Sequence, residues 1–148
     1  MVPDFTDDGL LPQGIHKATW SEIVKVLGFN KHRTNLLGGL KRALSNLQKA
    51  KCKVVYLDGS FVTNKTFPKD FDCCWDIQDV DANELDPVFL EFSNFRASQK
   101  AKYLGEFFPS HFQASVSGDV YLNFFQQDKH SGNMKGIILI DLEEFEND

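Results

Sequence analysis

Leu37, Leu40, Leu44 and Leu47 recur at the alternating short spacing that buries one side of an α-helix, and they predict a helix from Asn30 to about Ala50. Gly38 and Gly39 fall in its middle. A helical glycine costs about 1 kcal/mol against alanine, so the pair marks either a close helix contact or a break. Ahead of it, Trp20, Ile23, Val24 and Leu27 share one face of a shorter helix, with Thr19 and Glu22 at capping-box spacing and Gly28 as its stop. The period then changes to that of strands, over Lys53 to Leu57 and again, after Pro68, over Phe71 to Ile77. Asp86 and Pro87 open a third helical region in which Ala97, Ala101 and Leu104 keep helical spacing until Pro109 closes it. Val120 to Phe125 and Gly136 to Leu142 read as two strands of a hairpin, joined by a polar stretch whose Gly132 and Asn133 suit a turn. Residues 1–15, punctuated by Pro3, Gly9, Pro12 and Gly14, read as an extended lead-in packing over the core through Leu10, Leu11 and Ile15. Residues 143–148, with Glu143, Glu144, Glu146 and Asp148, read as an acidic frayed tail.

These elements define a single α+β domain, and composition supports that. A chain of 148 residues with 42% hydrophobic positions and 14 phenylalanines has material for a real core and is unlike a disordered chain. No apolar run approaches the roughly 18 to 20 residues of a membrane-spanning helix, and Asp4, Asp7 and Asp8 stand where a secretory signal would be basic. The expectation is a cytoplasmic protein with no membrane partner. Cys52 stands alone, Cys73 and Cys74 point to opposite faces of one strand, and none makes a zinc-type spacing with a histidine. Disulfides and zinc are not expected.

The net charge of −5 argues against indiscriminate nucleic-acid coating, yet the charge is segregated. Between Glu22 and Asp58 there is no acidic residue, whereas Lys25, Lys31, Arg33, Lys41, Arg42, Lys49, Lys51 and Lys53 all lie there. The stretch 31–53 is either a basic helix face for RNA or another acidic partner, or a solvated surface.

The chemistry concentrates between Asp58 and Asp76. A strand ends in Gly59 and Ser60, nine residues follow, and the next strand opens on Asp70, Phe71 and Asp72. Alternation along a strand sends Asp70 and Asp72 to one face and Phe71 to the other. Two adjacent carboxylates repel unless a hard divalent cation with oxygen ligands, Mg²⁺ or Mn²⁺, sits between them. Gly59 lets backbone approach a phosphate, and Ser60 offers an amide and a hydroxyl. Lys65 and Lys69, in the intervening loop, are candidates for the remaining phosphate oxygens.

Gly-Ser after a strand followed by Asp-x-Asp on the next resembles the DNA polymerase beta superfamily of nucleotidyltransferases in its minimal members. The resemblance implies a nucleotidyltransferase-like fold, a short mixed β-sheet with helices packed on one face. It implies a metal-dependent enzyme that moves a nucleoside monophosphate from a nucleoside triphosphate to a hydroxyl of a protein, RNA or small molecule. It also implies a third carboxylate from a later strand, for which Asp119 is the first choice and Asp141 another; Asn123 at that position would remove a ligand. The metal site is then Asp70, Asp72 and Asp119, with nucleotide on Gly59, Ser60, Lys65 and Lys69. Gly14-Ile15-His16, Tyr56 to Asp76, Glu106 to Pro109, Phe124 to Gln126 and Lys135-Gly136-Ile137 near Asp141-Leu142 also resemble a family of small bacterial and prophage-associated proteins. Such proteins imply a toxin-antitoxin or phage-defence pair and a protein partner encoded nearby. The alternative is a catalytically degenerate member of the fold that serves as a partner- or nucleotide-binding regulatory subunit.

Overall fold

The computed structural model describes residues 1–112, 114, 120–127 and 134–145. Its strands are β1 (Ile15–Lys17), β2 (Val54–Asp58), β3 (Phe71–Trp75), β4 (Gly105–Pro109) and β5 (Ile137–Asp141). They form one mixed sheet in the order β1-β5-β2-β3-β4, with β1 parallel to β5, β3 parallel to β4, and β2 antiparallel to both its neighbours. The helices are α1 (Trp20–Leu27), α2 (Lys31–Lys49), α3 (Ser93–Tyr103) and the short α4 (Tyr121–Phe124). The protein is thus a small α+β domain built on a mixed five-stranded sheet.

Helix α1 starts where its capping box predicts: Glu22 N–H donates to Thr19 Oγ1 at 3.2 Å, and Thr19 N–H donates to the Glu22 carboxylate at 3.0 Å. Helix α2 runs unbroken through its glycine pair, and the two glycines differ in what surrounds them. A Cβ on Gly39 would lie 2.2 Å from the Tyr103 carbonyl oxygen, so this glycine is what lets α2 and α3 touch; a Cβ on Gly38 would meet only the far end of Arg42, at 3.9 Å. Gly39→Ala is therefore expected to destabilise the fold by about 1–3 kcal/mol through overpacking, and Gly38→Ala to stabilise it by up to about 1 kcal/mol. Paired urea titrations check the opposite signs.

The two faces of the sheet have different covers. One carries the main core, in which Val55, Leu57, Phe71, Cys73, Trp75, Phe107, Ile138 and Ile140 pack against Ile23, Leu27, Leu40, Leu44 and Leu47 of α1 and α2. The other carries Cys74, Phe108 and Phe125 with Tyr56, Tyr121 and Phe124. Cys73 and Cys74 do point to opposite faces, and burial pushes both thiols, and that of Cys52 to about 11, well above the ordinary cysteine value. All three stay protonated packing groups.

Several sequence expectations are corrected. Residues 105–109 form β4, where the helical spacing of Ala97, Ala101 and Leu104 predicts one continuous helix to Pro109; Gly105 allows the change, since a Cβ there would strike the Phe71 ring at 2.4 Å. Residues 121–124 are a helix rather than a strand, and β5 pairs with β1 and β2 instead of closing a hairpin. Helices therefore lie on both faces, because α4 covers the second one. The lead-in buries Val2 and Leu11 but ends in strand, with Ile15 exposed on β1. The tail is docked as far as Phe145: Gln48 Nε2 donates to the carbonyls of Leu142 and Phe145, each at 2.7 Å. No helix among the described residues is long and apolar enough to cross a membrane.

Candidate metal and nucleotide site

At one end of the sheet Asp58, Asp72 and Glu106 stand in register on β2, β3 and β4. Asp70 lies two residues before Asp72 and so shares its face. Carboxylate oxygens of Asp70, Asp72 and Glu106 all fall within 4.8 Å of one another. They open on a cleft of about 630 Å³ whose lining includes Gly59, Ser60, Asn64, Lys65, Phe124, Phe125 and Lys135.

Four side chains packed this closely would repel, and the structure divides the load. Lys135, which leads into β5, places Nζ 3.2 Å from Asp58 Oδ1. Arg96 Nε donates to Glu106 Oε1 at 2.9 Å, and Lys100 Nζ lies 3.4 Å from the same oxygen. Asp72 sits between them. Its Oδ1 is sealed from solvent and accepts no hydrogen bond among the described residues. Burial, together with the charges of Glu106, Asp70 and Asp58, drives its carboxyl well above the ordinary range. Burial also acts to raise Glu106, but hydrogen bonds from Asp72 and Arg96 and the charges of Arg96 and Lys100 outweigh it and hold that carboxyl low. The surroundings thus favour the protonated form of Asp72 and the ionised form of Glu106.

The fit to a hard cation is a matter of donor chemistry. Three carboxylates converge on one point, and among the described residues one of their oxygens is sealed and unbonded and no sulfur or imidazole joins the cluster. Gly59 completes the arrangement from below. It has φ +86° and ψ −172°, a region only glycine enters readily, and a Cβ there would lie 2.9 Å from Asp72 Oδ2. Gly59→Ala is expected to cost about 2–3 kcal/mol of stability from backbone strain, and to weaken Mn²⁺ binding by about tenfold or more by displacing Asp72. Denaturant titration and calorimetry read the two effects separately.

Of the residues singled out by sequence, Gly59, Ser60, Lys65, Asp70 and Asp72 come together around the cleft, and Lys69 is not among its lining residues. Asp119 lies outside the described residues. Asp141 is at the opposite end of β5, 3.6 Å from Lys17, and Asn123 is exposed on α4 and does not line the cleft. The third carboxylate of the cluster is Glu106, which sequence reading placed inside the third helical region; the acidic residue before the apolar run Phe107-Phe108 was the available signal.

A second residue missed is Arg33. Counted with the basic face, it is fully buried, with its guanidinium over the rings of Phe29 and Phe61, each centroid at 4.4 Å. Nε donates to the Leu27 carbonyl at 2.5 Å, Nη1 to that of Lys65 at 2.6 Å, and Nη2 to that of Phe61. Burial lowers it only to about 10, so it stays charged at neutral pH. Arg33 ties the loop after Ser60 to the α1–α2 turn and so fixes one wall of the cleft. His16, by contrast, is structural, with Nε2 bonded to the Pro12 carbonyl oxygen at 2.7 Å.

Fold and site together define a small α+β protein with an acidic, glycine-floored cleft at one end of its sheet. The chain belongs to the family of unknown function DUF6932, whose model matches residues 3–141. No curated protein and no solved structure matches the chain.

Proposed function

We propose that the protein is a metal-dependent nucleotidyltransferase of the nucleotidyltransferase-like fold. The observation that carries this reading is the convergence of Asp70, Asp72 and Glu106 from adjacent strands beside the Gly59-Ser60 turn, all facing one cleft. Asp70, Asp72 and Glu106 would hold Mg²⁺ or Mn²⁺, which when bound supplies charge neutralisation for the triphosphate and for the leaving pyrophosphate. Ser60 offers its amide and hydroxyl to phosphate oxygens, and Lys65 and Lys135 supply cationic charge on the cleft walls. Phe124 presents an apolar surface for the base. In the transfer itself, the acceptor hydroxyl oxygen forms a bond to the α-phosphorus, the bond to pyrophosphate breaks, and the hydroxyl proton passes to a carboxylate of the triad.

One observation favours a second reading, a binding or regulatory subunit without chemistry. Arg96 and Lys100 already neutralise Glu106, and a member that had lost catalysis would rest in this state. Incubation with each labelled nucleoside triphosphate and Mg²⁺ or Mn²⁺, alongside bulk RNA and a bacterial lysate as acceptors, separates the two. Label transferred by the wild type and not by an Asp70→Asn, Asp72→Asn double variant supports the enzyme. Metal-dependent nucleotide binding without transfer supports the second reading.

A further inference from the structure

Among the described residues, the guanidinium of Arg96 is only partly committed. Its Cζ lies over the Phe108 ring, 4.9 Å from the centroid, and Nε is anchored on Glu106, while neither terminal nitrogen has a hydrogen bond among the described residues. Arg96 is brought there by three consecutive left-handed residues, Asn94, Phe95 and Arg96, with φ of 53°, 55° and 61°. The same turn leaves Phe95 79% exposed and Phe92 37% exposed; Phe92 stacks on Phe108 at 6.4 Å with an interplanar angle of 19°, and Phe108 in turn stacks on Tyr121 at 4.3 Å. Two open aromatic rings thus flank an arginine fork at the edge of the acidic cleft. Positive charge continues away from it. Lys100 follows on α3, and the seam opened by Gly39 sets Arg42 against Lys102, with Arg42 Nη2 donating to the Lys102 carbonyl at 3.1 Å. Asp86 pairs with Lys102, and Glu91 is the exposed acid next to Phe92.

We infer that this band, from Arg42 through Lys100 and Arg96 to Phe95 and Phe92, is a binding surface for single-stranded nucleic acid, and that its end nearest Glu106 delivers a terminal hydroxyl to the cleft. The inference rests on the proposed transfer only for the role of that hydroxyl. Single strands are held by two elements in combination, aromatic faces that stack on bases whatever their identity and cations that track the phosphates. An arginine fork matches a phosphate in a bidentate way that a lysine cannot. A duplex hides its base faces and has no use for Phe92 and Phe95. A protein acceptor would not require cations spaced along the seam between α2 and α3.

The test is fluorescence anisotropy of a labelled 12-nucleotide single-stranded RNA and of a duplex of the same sequence, with EDTA present, between 50 and 200 mM salt. Binding of the single strand in preference to the duplex is expected, with affinity falling as salt rises. Phe95→Ala is expected to weaken it by about tenfold. Arg96→Gln is expected to weaken it and to reduce the salt slope by about 0.7, the contribution of one phosphate contact to a single strand. Because Phe95 is 79% exposed, its replacement leaves the fold intact, which circular dichroism verifies. Absence of binding at 50 mM salt, equal binding of the duplex, or unchanged affinity in Phe95→Ala overturns the inference. Asp72→Asn is expected to bind the oligonucleotide like the wild type. Oligonucleotide binding without nucleotidyl transfer therefore counts against the proposed chemistry alone, and transfer to protein without oligonucleotide binding counts against this surface alone.

Discussion

Asp72→Asn is expected to leave the protein folded and to abolish nucleotidyl transfer, with a loss of about 10³-fold or more if the site supplies the several kcal/mol of charge stabilisation typical of bound metal. The two halves of that result have one cause. Burial and three neighbouring carboxylates favour the protonated form of Asp72 in the metal-free protein, so a neutral asparagine of the same shape replaces the form that its surroundings favour. The sign of the pH dependence follows. A carboxyl whose folded value is raised contributes stability that is fully present below its unfolded value, near 4, and that is lost as pH rises through the raised folded value. The wild type without metal should therefore lose stability from about pH 4 upward until Asp72 ionises, and Asp72→Asn should remove that decline. Addition of Mn²⁺ should reverse it in the wild type by stabilising the ionised carboxylate. At a hundredfold excess over Kd the gain is about 2.7 kcal/mol, or about 5–10 °C in Tm for a chain of this size, and Asp72→Asn should show little of it. Thermal melts across pH 4 to 9, with and without Mn²⁺, give all four curves. A decline retained in Asp72→Asn would overturn Asp72 as the group that titrates, and an equal Mn²⁺ shift in both proteins would falsify its assignment as ligand.

The second large effect is on stability. Arg33→Met is expected to cost about 3–5 kcal/mol, since the apolar replacement leaves the carbonyls of Leu27 and Phe61, in buried bonds, and that of Lys65, in a part-buried one, without their donor. The expected fall in Tm is about 6–20 °C. Arg33→Lys should recover only part of it, because a point charge cannot reach carbonyls on three sides of a planar fork. The loss should extend to the cleft, as the Lys65 carbonyl belongs to its wall, so nucleotide affinity should fall well below the unfolding transition. Denaturation followed by nucleotide titration of the folded variant reads both. An Arg33→Met protein as stable as the wild type would show that the guanidinium contributes no net stability beyond the cost of its burial.

What the sequence by itself determined is everything governed by local periodicity and by local backbone demands. The leucine stripe and Asn30 cap place α2, Thr19 and Glu22 place the start of α1, and β-rich runs ending at Asp58-Gly59 and opening at Phe71 place β2 and β3. Period-two alternation suffices to put Asp70 with Asp72 and Cys73 opposite Cys74, since that follows from strand geometry alone. Four decisions belonged to the tertiary structure. Glu106 became the third carboxylate because β4 pairs in parallel with β3 and sets it across from Asp72, and a parallel neighbour leaves no turn signal between the strands to announce it. Residues 121–124 turned helical because packing on Phe108 outweighs the β-propensity of Val120 and Tyr121. Arg33 went inside because the carbonyls of Phe61 and Lys65, distant in sequence, converge on its position together with that of Leu27, which no pattern along the chain records. Asp72 became the member of the cluster whose carboxyl is driven upward because its neighbours on either side hold the cations, Lys135 on Asp58 and Arg96 with Lys100 on Glu106. Periodicity is a property of successive residues, whereas partnership among charges depends on which strands and loops the fold makes neighbours.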